Sequence, residues 1–170
     1  FGLLTATGTV TNTATGDDVL LNTVALPFNV SFFGNTYSNI LIYSNGYVAF
    51  QTGVTGSPYV QTIPDVAAPN NFIAISHDDL NVTAAGQLSY FTNGVAPNRI
   101  FVINYNGVKY YNTAANNGNL TGQVQIFEAD QHIEIHVQNS VDPTLSAKSL
   151  GIENAGGTVG YAPATRNNLA

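Results

Sequence analysis

Between Leu26 and Phe50 the chain reads LPFNVSFFGNTYSNILIYSNGYVAF, two runs of aromatic and β-branched residues interrupted by Gly34-Asn35 and Asn45-Gly46. In the first run Phe28, Val30 and Phe32 share one face and Asn29, Ser31 and Phe33 the other. A period of two with one lapse predicts a half-buried strand. Glycine at positions 34 and 46 supplies the positive φ that Asn-Gly-type turns require, so the segment predicts antiparallel strand pairs joined by tight turns.

The same signals recur downstream. Runs at 19–24, 28–33, 40–43, 47–50, 72–76, 86–92, 99–105, 108–111, 120–128, 132–139, 149–153 and 158–161 read as strands bounded by Asn, Gly or Pro. Asn106-Gly107 predicts a hairpin turn between two of them. Gln51 to Asn71 carries Gly53, Gly56, Pro58, Pro64 and Pro69 with little periodicity and reads as a long surface loop. The one helix-like window, 142–150, follows Pro143 and is too short to stand alone. The chain is therefore read as all-β, a single antiparallel β-sandwich with a jelly-roll-like winding as one form. Residues 1–16, Thr-rich and uncharged, are expected to be an N-terminal arm or edge strand, and 17–170 the sandwich.

A length of 170 residues suits one core, and no Pro/Gly/Ser-rich linker divides it. Charged residues make up 8% of the chain and the net charge is -6, which argues against nucleic acid or an anionic membrane as partner. No apolar run reaches the roughly 18 residues of a membrane span. Cysteine is absent, which removes disulfides and thiolate metal sites but leaves the compartment open. An Asn/Thr/Ser/Gln-rich surface with few lysines suggests an exported protein. Methionine is absent even at position 1, so the chain is expected to be a processed product or a piece of a longer protein.

Three segments carry a family resemblance: the Leu26–Phe50 run, APNRIFVINYNGVKYY from Ala96, and LTGQVQIFEADQHIEIHVQN from Leu120 continuing to LGIENAGGTVGY at Leu150. Together they resemble a β-domain of large secreted and cell-surface adhesin-like proteins of bacteria, above all Bacteroidota. The first segment is also similar, more distantly, to nidogen-type extracellular domains. The resemblance implies an extracellular adhesion or structural module and brings no catalytic residues. It also implies a further aromatic strand after Thr165-Arg166-Asn167; without one, an open edge could accept a neighbour's strand.

His77-Asp78-Asp79-Leu80-Asn81 places two carboxylates and an amide oxygen at a strand end. That hard-oxygen set suits calcium, with Asp78, Asp79 and Asn81 as ligands and Asp17-Asp18 as a second, poorer candidate. Asp and Asn also end strands simply by bonding the backbone. His132, Glu134 and His136 alternate with aliphatics, but same-face neighbours stand about 6.5–7 Å apart along a strand, which strains coordination of one ion. There is no thiol and no Gly-x-Ser-x-Gly elbow; an acid–base pair would need Glu128, Glu134 or Glu153 beside Asp78 or Asp79. The expectation is that the protein is not an enzyme.

Of nine tyrosines and nine phenylalanines most belong to the core, while Tyr59, Tyr110 and Tyr111, with Asn112 and Asn81, are the candidate ligand contacts. Arg99, one of only four basic residues, is expected to pair with a carboxylate and fix a loop. The expected partner is a cell-surface glycan or protein, met by loops at 51–71, 77–85 and 111–119. The alternative is copies of the same chain, joined by strand addition with the arm as donated strand.

Overall fold

The computed structural model describes residues 2–50, 58, 62–83, 85–111, 118–142 and 147–167. Tyr59 and Asn112 lie outside these. Its strands are β1 (Thr11–Asn12), β2 (Leu20–Phe32), β3 (Asn35–Tyr43), β4 (Tyr47–Ala49), β5 (Phe72–His77), β6 (Leu80–Asn81), β7 (Gln87–Asn93), β8 (Ile100–Tyr110), β9 (Asn119–Phe127), β10 (Ile133–Val141), β11 (Ser149–Glu153) and β12 (Gly160–Tyr161). All pairings are antiparallel. One six-stranded sheet, here sheet A, runs β1-β7-β8-β9-β10 with β6 also paired to β8; the other, sheet B, runs β12-β11-β5-β4-β3-β2. The result is a β-sandwich wound mainly as meanders of consecutive strands, not as the Greek keys of a jelly roll.

Alternation along the strands builds the core between the sheets. Val30, Phe32, Ile40, Ile42, Val48, Ile73 and Ile75 face inward from sheet B and meet Leu88, Phe101, Ile103, Tyr105, Val124 and Ile126 of sheet A. In β2, Phe28, Val30 and Phe32 are buried while Asn29 and Ser31 are exposed, as their period of two requires. The other face of sheet B buries a smaller cluster, Leu41, Tyr43, Tyr47, Ala49, Phe72 and Ala74, against Ile63 and Ala162. The β2–β3 hairpin turns on Phe33 (φ 46) and Gly34 (φ 79), the two positive φ values of a type I′ turn.

Asn106-Gly107 does not make the expected hairpin. β8 runs unbroken through it, and the register against β9 shifts between Tyr105 and Val108. The positive φ of Gly107 (65°) serves a bulge instead of a turn. The flanking runs each find partners on β9, Phe101–Tyr105 against Gly122–Ile126 and Val108–Lys109 against Asn119–Leu120, so chain reversal is not needed. Arg99 grips Glu128 through Nε to Oε2 (2.8 Å) and Nη2 to Oε1 (2.6 Å), closing the loop before β8 onto the end of β9.

Candidate functional site

Asp17 and Asp18 lie in the bend before β2, and Asp79 lies between β5 and β6. Folding brings one carboxylate oxygen of each within 4.8 Å of the others. The pivot is Asn45, a residue of the β3–β4 connection with no exposed surface. Its Nδ2 donates to Asp18 Oδ1 (2.7 Å), and its Oδ1 accepts from the Leu80 amide (3.0 Å), tying both acidic segments to one side chain. The next residue, Gly46 (φ 73), presses so closely on β5 that an added Cβ would sit 1.9 Å from the Ser76 carbonyl. Gly46 O in turn accepts from the Ile75 and Ser76 amides, fixing where β5 ends and Asp79 emerges. Asp18 itself holds a left-handed backbone, φ 53, a conformation Asp tolerates better than most residues.

The electrostatics of this corner are one-sided. Among the described residues, no Lys or Arg pairs with Asp17, Asp18 or Asp79. Burial, and then the neighbouring charges of Asp18, Asp17 and Asp78, push the Asp79 carboxyl up to about 6. Burial and the Asp18 charge also raise Asp17. Asp17 Oδ1 is buried without a hydrogen-bond donor, while its Oδ2 accepts from Asn81 Nδ2 at 3.3 Å. Three carboxylates this close can share a proton or a cation, and their hard oxygens are of the type that calcium takes.

The sequence-based candidates are therefore divided. Asp79 joins the Asp17-Asp18 pair, merging what sequence reading kept as two sites. Asp78 is elsewhere: 2% exposed, with Oδ2 3.6 Å from Lys148 Nζ, which also meets Asp142 at 3.3 Å. Asp78 is thus committed to this ion pair and is not among the three carboxylates that converge. Asn81 lies beside the cluster but turns its amide nitrogen toward Asp17, its oxygen being engaged by the Thr83 amide at 2.8 Å.

Tyr111 is 42% exposed and its amide donates to Asp79 O (2.7 Å), which places it next to the acidic corner. Tyr110, expected at the surface, is 1% exposed; its hydroxyl bridges Ser76 Oγ and Ser140 Oγ, both at 2.8 Å. Asn45 was missed as a site residue. Its Asn-Gly dipeptide announces a turn but not what the asparagine side chain grips.

The histidine strand forms a surface ladder. His136 Nε2 meets Glu134 Oε2 at 2.6 Å, His132 Nε2 meets Glu134 Oε1 at 3.4 Å, and the His132 ring stacks on Phe127. The His136 hydrogen bond holds Glu134 below the usual carboxylate range. Glu153, with no exposed surface, accepts the Asp65 amide (2.7 Å), and burial pushes it up to about 7. None of the three glutamates weighed as an acid–base partner joins the Asp17, Asp18 and Asp79 cluster.

Two stacked antiparallel sheets with an acidic loop corner define a β-sandwich module. The chain belongs to the NIDO-related family, whose model matches residues 1–169. The family points to an extracellular context, in keeping with the nidogen-type resemblance of the first segment. Comparisons with curated proteins and with solved structures returned no match. Among the described residues no helix is long and apolar enough to cross a membrane.

Proposed function

We propose that this domain is a non-enzymatic adhesion or recognition module of a larger bacterial surface protein, and that calcium assists it at Asp17, Asp18 and Asp79. In this reading the ion fixes the corner from which Tyr111 and the neighbouring loops meet a carbohydrate or protein ligand. The carrying observation is the convergence of three carboxylates, one with a buried oxygen that no donor satisfies. Calcium takes six to eight oxygens, of which three carboxylates can supply several, with carbonyls and water completing the shell. The extracellular family context supports the reading, because calcium is plentiful outside cells and weak sites are filled there. The exposed tyrosine offers an aromatic face of the kind that stacks on sugar rings.

The test is calorimetric titration of metal-stripped protein with calcium chloride, paired with thermal unfolding. A native-state ligand at about 100 times its Kd adds about 2.7 kcal/mol by linkage. The expected result is binding heat and a raised Tm, both lost in Asp79→Asn and kept in Asn35→Ala, a hairpin-end control. Absence of heat and of a Tm shift at millimolar calcium sinks the calcium-assisted reading. A glycan array run with calcium and with chelator then separates carbohydrate from protein ligands.

A further inference from the structure

The N-terminal arm does not add to a sheet edge until Thr11, where two residues pair with β7. Before that it crosses the outward face of sheet A, and side-chain amides hold its backbone. Asn93 Oδ1 accepts from the Thr7 amide (2.9 Å) while Nδ2 donates to Thr5 O (2.9 Å). Gln123 Oε1 accepts from the Leu4 amide (2.8 Å) and Nε2 donates to Leu4 O (2.9 Å). Gln125 Nε2 donates to Gly2 O at 3.1 Å and to Gln123 Oε1 at 2.8 Å, and Gln123 continues the network to Asn104. Gln123 and Gln125 are 1% and 2% exposed, and Val102, opposite Gln125 in the ladder, is fully buried.

At Gln123 and Asn93 the side-chain amide turns both a donor nitrogen and an acceptor oxygen to the arm, so each grips main chain as a neighbouring strand would. Apart from Thr7 Oγ1 on Asn93, these contacts are to arm backbone. The face selects an extended, uncharged chain with N–H groups at two positions, and the arm's sequence GLLTAT meets that description. An emptied face would give Val102 and the covered amides back to water and forfeit that burial, so it favours exchange of one occupant for another over standing open.

We propose that the outward face of sheet A is an acceptor groove for an extended chain, filled in the lone molecule by its own residues 2–7 and, between molecules, by residues 2–7 of a second copy. The second copy is the occupant because its arm reproduces every bond above, leaving no group unpaired. A tethered arm has a high effective concentration, so closure within one chain is the resting state, and exchange shows when such closure is disabled. The proposal is independent of the calcium corner and moves the copy-to-copy joint from a sheet edge to a sheet face.

Two variants of the whole 170-residue chain test it. Leu4→Pro/Thr7→Pro removes both arm N–H donors and leaves the groove intact; Asn93→Leu/Gln123→Leu removes the grip and leaves the arm intact. Sedimentation should find each variant monomeric alone and a one-to-one dimer on mixing. A mixture that stays monomeric up to its solubility limit overturns the proposal, as does a dimer that forms equally well when both partners carry Gln123→Leu, since that joint would be an edge. Should melting show that the Asn93→Leu/Gln123→Leu chain does not fold, a labelled peptide of residues 1–12 takes its place. The Leu4→Pro/Thr7→Pro chain, or Leu4→Pro alone if the pair disrupts folding, should bind it at least tenfold more tightly than a chain that also carries Gln123→Leu. Equal binding by the two overturns the groove.

Discussion

Asp78 and Asp79 leave the end of β5 into opposite surroundings. Asp78 is buried against Lys148, whose ammonium also serves Asp142 and lies 5.3 Å from the centre of the Tyr110 ring. Asp79 turns the other way, to Asp17 and Asp18, where no lysine or arginine among the described residues forms an ion pair. Asp78 is buried, whereas Asp17 and Asp79 are half-buried and Asp18 is exposed. The two sites differ in where compensation comes from: the chain itself supplies it at Asp78, while the acidic corner, open to solvent at Asp18, draws on water, a proton or a cation from solution. The first arrangement reads as a structural joint and the second as a place that responds to its medium.

The strongest way to break this contrast is to remove the internal cation. Lys148→Met leaves Asp78 and Asp142 facing each other in the interior, and losing one partner of a buried ion pair costs about 3–5 kcal/mol. Denaturant unfolding should show a loss of that size, unchanged by calcium. A loss below about 1 kcal/mol would mean that the cluster behaves as a surface pair and that the two corners are alike.

A second effect follows from the raised carboxyl of Asp79. Its folded-state value of about 6 lies above its ordinary 3.8, so its stabilising contribution is complete below about pH 4 and lost as pH rises through 6. Metal-free protein should therefore lose stability across that window, by about 1–2 kcal/mol once solvent screening is allowed for. Calcium should reverse the trend, because it binds the ionised carboxylates that appear as pH rises. Glu153, held up to about 7, gives a further decline with pH that calcium should not touch. Melting curves at pH 4.5, 6 and 7.5 in a Glu153→Gln background isolate the Asp79 component. Identical pH profiles for that background with and without Asp79→Asn would show that Asp79 is not the responsive group.

The parts of this picture legible in the sequence are those governed by local chemistry. Alternation in Phe28–Phe32 gave the buried and exposed faces of β2, and Gly34 and Gly46 marked positions of positive φ. Asn106-Gly107 carried the same local signal with a different use, and the consequence reached the candidate site. Tyr105 and Tyr110 are five residues apart, so on an unbroken strand they would face opposite sides. The bulge adds one residue, restores Val108 and Tyr110 to the core and turns Tyr111 outward. Local sequence names the glycine, but only pairing with β9 decides between turn and bulge. The acidic corner was half legible for a related reason: the composition of each acidic pair was visible, but their meeting depends on Asn45, placed by tertiary packing. The arm's position was not legible at all, because amides on a strand face look the same in sequence whether they bind water or main chain.

Tyr111 gives the smallest expected effect on stability and the sharpest separation of roles. Its side chain is exposed, and its tie to the acidic corner runs through its backbone amide, which every replacement but proline retains. Tyr111→Ala should therefore change unfolding free energy by no more than about 0.5 kcal/mol, as surface substitutions do, and leave the calcium-induced Tm shift in place. It should nevertheless weaken binding to whichever glycan or protein the arrays identify. Tyr110→Ala, by contrast, empties a buried aromatic position and strands two serine hydroxyls, a cost of about 3–5 kcal/mol. Equal stability losses for the two would mean that the outward turn after the bulge has been misassigned; equal retention of ligand binding would remove Tyr111 from the recognition surface while leaving the calcium corner intact.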